Sequence, residues 1–306
     1  PHQAFMLFQM MFAIITPALI TGSFAERKKF SAFLIFTVLW APFVYDPLAH
    51  WVWGDGGWLK KLGALDFAGG TVVHLSAGFA ALAGALFLGR RKVHVAAAPH
   101  VPANIPFVML GTGMLWFGWF GFNAGSALAA NESAVLAFMT TNTASASAML
   151  AWVLFDAVRG RRPSALGASI GAVVGLVAIT PAAGFISVGE SVAVGIGASL
   201  VSNLAVHWRS KSTLDDTLDV FPCHGVGGLF GMLATGLLAK DGGWLHGGDP
   251  TLFFKHAAAA ALVGAYSFLG AHALYRLTDA IITLRVRPEQ EEAGLDLSQH
   301  AESYAP

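Results

Sequence analysis

The sequence predicts an all-α fold, a polytopic membrane helical bundle, and three observations carry that expectation. The 306 residues are 55% hydrophobic and 12% charged, about half the charged share of an average soluble domain. Apolar windows of about 20 residues, the length that crosses a bilayer, recur nine times along the chain. Basic residues then fall in every second connector, as they do when a chain threads back and forth through a membrane.

Taken in order, the windows run 4–25, 31–53, 66–89, 104–126, 133–157, 164–185, 188–207, 219–239 and 253–285. The last is long enough to tilt or to project beyond the bilayer. Short polar connectors separate them, none large enough for a second folded domain. The division expected is a transmembrane domain over 1–287 and a tail over 288–306. The chain opens at Pro1 straight into apolar sequence, with no cleavage site after it, and so reads as a fragment whose start lies upstream.

Fourteen of the 18 Lys and Arg lie on one side: Arg27 to Lys29, Arg90 to Lys92, Arg159 to Arg162, Arg209 and Lys211, then Arg276, Arg285 and Arg287. Lys60, Lys61, Lys240 and Lys255 lie on the other. The first side is expected to be cytoplasmic, and the tail with it. Lys plus Arg balance Asp plus Glu at 18 each, so no basic excess points to nucleic acid. The single cysteine, Cys223, cannot form an intrachain disulfide. Glycines spaced by four, as at Gly167, Gly171 and Gly175, suit close helix packing.

Within the third window, Asp66-Phe67-Ala68-Gly69-Gly70-Thr71-Val72-Val73-His74 brackets a glycine pair with an acid and a histidine. Asp66 is placed to cap a helix start, and eight residues of α-helix set His74 roughly 12 Å further along the axis. His224 lies in a second apolar span, in Phe221-Pro222-Cys223-His224-Gly225. The segments echo one another: Asp66 precedes His74, Asp219 precedes His224, and Gly78 and Gly228 each follow a histidine by four. Their spans are five apart and opposite in direction, as in transporters built from inverted repeats.

An ionisable group inside a span is expensive and marks a functional candidate. Burial disfavours the charged imidazole, so two facing neutral histidines would share a proton or line a polar path. A metal centre needs three or four ligands, and only Cys223 has helical spacing to either histidine; neither a metal nor a cofactor is expected. Phe12, Trp53, Trp119 and Phe122 lie near span ends or beside small residues, where they are interface anchors or faces for a cation. Asn123 is placed to bond across helices, and Ser126 to accept a hydrogen bond from a substrate at the mouth.

These stretches, with Ala25-Glu26-Arg27 and Gly118-Trp119-Phe120-Gly121-Phe122-Asn123-Ala124-Gly125-Ser126, resemble the signatures of the ammonium transporter family (Amt/Mep/Rh) in its Amt form, in family order from Pro1 to Tyr304. The resemblance implies eleven helices in two inverted five-helix repeats plus a long last helix, of which about nine are present, and a homotrimer in the cell (inner) membrane. By it, His74 and His224 are the pore histidines and Phe12 and Phe122 the gate. Trp53, Ser126 and Phe12 form the substrate recruitment site, Asp66 shapes that vestibule, and Trp119 stands beside the pore. Pro222-Cys223 departs from the usual Gly-Val. The tail from Gly294 to Glu302 is similar to the family's C-terminal segment, which implies a PII-type regulatory partner, although Ala301 replaces a glycine.

The function so implied is ammonium transport, with no enzymatic step and no catalytic residue. NH4+ is recruited at the outer vestibule, loses its proton past Phe122, and passes as NH3 along the histidines, with methylammonium as an analogue. A sensor on the same fold is the alternative; sensors of this family often carry an attached signalling domain, and none is expected here. A membrane metalloenzyme is the third reading, and it predicts a stoichiometric metal ion.

Overall fold

The structure, a computed structural model, describes residues 1–97 and 102–303. It is helical throughout: α1 (His2–Ile20), α2 (Phe30–Trp40), α3 (Asp46–Trp53), α4 (Trp58–Leu62), α5 (Ser76–Leu88), α6 (Lys92–Val95), α7 (Ile105–Gly125), α8 (Glu132–Val158), α9 (Ala165–Ile179), α10 (Val188–Ser210), α11 (Gly227–Leu238), α12 (Trp244–Gly247), α13 (Thr251–Ile281), α14 (Pro288–Ala293) and α15 (Leu295–His300). Eight helical stretches among the described residues are long and apolar enough to cross a membrane. The ninth expected window, 164–185, yields only the 15 residues of α9. Its helix stops at Ile179 because Pro181 follows: Thr180 keeps α-region dihedrals, but proline donates no N–H and its ring crowds the carbonyl four residues back.

Local sequence accounts for where the helices start. Side chains of Asn104, Asn131 and Ser164 accept hydrogen bonds from the backbone N–H groups of Phe107, Ala134 and Gly167, capping α7, α8 and α9. Ser187 and Glu190 form a reciprocal capping box on α10; each such cap occupies a donor that the first turn leaves free. Among the described residues, three π-helical stretches interrupt the regular winding: Ala41–Tyr45 joins α2 to α3, Gly70–Leu75 leads into α5, and Phe221–Val226 leads into α11. π turns gather at functional sites, and two of these hold the candidate histidines.

Gly70–Leu88 is the most buried span and Ile105–Gly125 the least. The glycine ridge of α9 packs on α8: a Cβ at Gly175 would stand 2.5 Å from the Ala144 carbonyl oxygen. On α7, by contrast, Gly111, Gly113, Gly118 and Gly121 have no described neighbour within 4 Å of a would-be Cβ, so close packing accounts for the first set only.

At the end carrying the basic connectors, buried Asp215 joins Arg91, at 2.9 Å, to Arg27, and Arg91 also pairs with Glu26. Burial pushes the Asp215 carboxyl up, but hydrogen bonds and charge from the two arginines outweigh it and hold it at about 2. The tail lies against this network. Arg285 bonds Glu291 at 2.8 Å and the Leu88 and Arg90 carbonyls, Lys92 pairs with Glu292, and His300 packs edge-on against Phe30. Residues 304–306 of the expected tail lie outside the described residues.

Candidate functional site

The two histidine segments are built alike. The Asp66 carboxylate accepts hydrogen bonds from the N–H groups of Gly69 (2.8 Å), Gly70 (2.7 Å) and Thr71 (2.8 Å), and from the Thr71 hydroxyl. The cap read from the sequence is therefore present, on a π-helical rather than an α-helical first turn. Gly69 carries it at φ +114°, where a side chain would be strained. A negative charge there also complements the positive end of the helix dipole.

The second acid of the echo is not Asp219, whose carboxylate is taken by Arg209 at 2.7 Å. Asp216 fills the role. It stands eight residues before His224, as Asp66 does before His74, and accepts from the Phe221 N–H at 2.7 Å. Thus Asp66 and Asp216, His74 and His224, and Gly78 and Gly228 are all 150 residues apart. Sequence reasoning favours the nearer acid and misses Asp216; the equal spacing is the signal that could have found it. Phe221 stands where the first segment has Thr71, so Asp216 lacks a hydroxyl partner, and its Oδ1 finds no hydrogen bond among the described residues. Burial raises this carboxyl to about 7.

The segments cross at glycines. A Cβ on Gly78 would meet the Gly225 nitrogen at 2.2 Å, and one on Gly228 would meet the Gly70 oxygen and His74 Cβ at 3.1 Å. That approach brings His74 Nδ1 to 3.3 Å from His224 Nδ1, with His74 fully buried and His224 8% exposed.

Thr180, absent from the sequence expectations, sets the protons on this pair. Its hydroxyl donates to the Leu176 carbonyl at 2.8 Å, which uses its one hydrogen. Toward Trp119 Nε1 (2.9 Å) and His74 Nε2 (3.3 Å) it can only accept. His74 therefore carries its hydrogen on Nε2, its Nδ1 is bare, and the hydrogen between the rings belongs to His224 Nδ1. This assignment follows from counting donors and acceptors.

From the histidines a line of rings leads to the far end of the bundle. His74 stacks on Trp119 (centroids 5.3 Å) and Phe122 (5.9 Å); Phe122 meets Phe12 at 4.6 Å, and Phe12 meets Trp53 at 5.5 Å. Trp53 Nε1 donates to the Asp66 carbonyl at 3.0 Å, which ties the tryptophan to the capping loop. Ser126, at the end of α7, donates to the Phe122 carbonyl at 2.8 Å and keeps its lone pairs available. Asn123 bonds across to Thr141 at 2.9 Å. The structure thus brings together Trp53, Phe12, Phe122, Trp119, His74 and His224, with Asp66 one contact away. Among the described residues no group of three or more His, Cys, Asp or Glu is placed to hold a metal ion.

Several known proteins are similar to this chain. The profile of the Ammonium Transporter Family matches residues 1–305. The chain is 47% identical to an ammonium transporter of Bacillus subtilis, over 99% of this chain and 76% of that one. It is 48% identical to ammonium transporter Amt1 of Archaeoglobus fulgidus, over 97% and 76%. Among solved structures, Mep2 of Candida albicans superposes with a TM-score of 0.88 at 38% identity, covering 94% of this chain and 67% of that one. A structure described as a sensor Amt protein superposes at 0.89 and 32% identity, covering 96% and 76%. The chain belongs to the Ammonium Transporter Family.

Proposed function

We propose that this protein conducts ammonium nitrogen across a membrane: it takes up NH4+ at the Trp53 end, removes a proton, and passes NH3 along His74 and His224. The carrying observation is the unbroken line of rings ending in two imidazoles whose Nδ1 atoms lie 3.3 Å apart. Carrying an intact cation through so apolar a passage costs several kcal/mol or more. Neutral ammonia is small and needs only hydrogen-bond partners, so deprotonation removes most of that cost.

Each residue then has a task. Phe12 and Trp53 offer ring faces to the cation, gaining roughly 0.5 to 2 kcal/mol each, and Ser126 offers lone pairs. Asp66 holds the vestibule loop through its cap without touching the substrate. Phe12 and Phe122, in contact, close the passage to hydrated ions. Beyond them, the pair lines the path for NH3 and gives H+ a separate one: the Nδ1–H of His224 passes to the bare Nδ1 of His74 as His224 Nε2 takes up a proton, and the reverse transfer returns it. Trp119 and Thr180 keep His74 in the required tautomer.

The same reading puts the basic connectors and the tail in the cytoplasm, makes the assembly a homotrimer, and makes the docked tail the place where a PII-type protein would act. Methylammonium should serve as a transported analogue. The test is whether the complete gene restores growth at low ammonium to cells lacking their own transporters, with His224→Ala and Trp53→Ala beside it. Rescue by the wild type and its loss in both variants is the expected result. Surface expression without rescue would favour the second reading, an ammonium sensor, which the likeness to the sensor Amt protein keeps in play.

A further inference from the structure

One buried imidazole has no place in the line of rings. His256, on α13, is fully buried. Its Nδ1 lies 2.8 Å from the Met232 carbonyl oxygen of α11, and its Nε2 lies 2.9 Å from the backbone nitrogen of Leu65. A carbonyl can only accept and a backbone N–H can only donate, so the ring is neutral with its hydrogen on Nδ1. It thereby bridges two helices to the connector that immediately precedes Asp66.

That connector has few other anchors. The Phe67 N–H bonds the Pro181 carbonyl at 3.1 Å, and the Asp66 carbonyl receives Trp53 Nε1. Through Leu65, His256 fixes the height of the loop from which the Asp66 carboxylate reaches Gly69, Gly70 and Thr71. Trp53 hangs on the same loop. A displaced Leu65 would move both the cap of the His74 helix and the ring face offered to the cation.

We infer that His256 is a positioning residue for the recruitment site: one imidazole, donating to α11 and accepting from Leu65, sets the Asp66–Trp53 loop at the geometry that holds ammonium. This rests on the vestibule being where ammonium is recruited. The inference also specifies the chemistry of the position, which needs one donor and one acceptor on a side chain of this length. Glutamine supplies both; leucine fills much of the space and supplies neither.

The test compares wild type, His256→Leu, His256→Asn and His256→Gln, reconstituted and corrected for folded protein, by concentration-dependent methylammonium uptake and by hydrogen exchange of peptides covering 63–71. His256→Leu should raise KM about ten-fold, the size of one lost net hydrogen bond, with Vmax within about two-fold. His256→Gln should restore both KM and protection, and His256→Asn, too short for both partners, should fall between. Should the leucine variant not fold, the asparagine and glutamine variants carry the comparison. Unchanged KM in a variant whose 63–71 peptides exchange faster would overturn the inference, as would glutamine impaired as deeply as leucine. If wild type shows no saturable uptake, the recruitment reading fails instead, while the exchange contrast still tests the hold on the loop.

Discussion

Replacing Asp66 by alanine removes the acceptor for three backbone N–H groups at 2.7 to 2.8 Å and for the Thr71 hydroxyl. Gly69 to Thr71 lie in the interior of the bundle, and Asp66 itself is only 8% exposed, so water can replace the carboxylate in part at best. A buried donor left without a partner costs about 1 to 3 kcal/mol, against about 1 kcal/mol for an ordinary surface cap. Three such donors put the loss for Asp66→Ala at about 3 to 9 kcal/mol. The amide in Asp66→Asn keeps one carbonyl oxygen, able to accept from two donors, so that variant should lose about half as much. Asp216→Ala, which frees the Phe221 N–H from a carboxylate with an already unpartnered oxygen, should lose least. Thermal unfolding of the purified variants, followed by the loss of monodisperse protein on size exclusion, gives the ranking. An alanine variant at position 66 as stable as wild type, or more stable than Asp216→Ala, would refute the reasoning.

Other consequences follow from the same contacts. Gly78→Ala puts a methyl 2.2 Å from the Gly225 nitrogen; it should destabilise by at least about 1 to 3 kcal/mol and abolish uptake, whereas Gly228→Ala, at 3.1 Å, should retain measurable uptake. Thr180→Val leaves His74 Nε2 and Trp119 Nε1 without an acceptor and frees the tautomer; uptake should fall while expression holds, and nitrogen NMR of labelled histidine should report mixed tautomers. Asp216 holds its proton to about pH 7 when folded but only to about 4 when unfolded. The folded state is thus favoured at the acid end of that window and loses stability as pH rises through it; Asp216→Asn should flatten stability between about pH 4 and 7. Lys28 is the opposite case: burial among Phe24, Phe36 and Tyr275 lowers its affinity for a proton, so stability should rise with pH up to about 10.5. Lys28→Met should remove that rise and unfold at a higher temperature near neutral pH.

Much of the fold was legible in the sequence, because a bilayer demands long apolar helices and alternating basic connectors. Eight of the nine windows became helices of spanning length. What the windows could not convey is winding. Residues 164–185 are apolar to the end, yet Pro181 stops α9 at Ile179, and hydropathy does not register a missing N–H. The π turns were likewise hidden, since Val72, Val73 and Leu75 read the same in either winding. Of the site, the histidines, the phenylalanines and Asp66 were visible as polar or aromatic residues in unusual places. Thr180 was not, because one threonine in an apolar helix ordinarily bonds the carbonyl four residues back, as it also does here. His256 leaves no mark for a similar reason: both its partners are backbone groups, which form no pattern in the sequence.

The central claim, that the histidine pair separates a proton from the nitrogen it travels with, is tested most directly by recording current and uptake together in proteoliposomes of wild type and His74→Ala under an ammonium gradient. With the pair intact, uptake of methylammonium and exclusion of potassium should both be present. In His74→Ala, the Nδ1···Nδ1 contact is gone, and either uptake should stop or intact cations, potassium included, should begin to pass. Current and selectivity unchanged from wild type in His74→Ala would contradict the account.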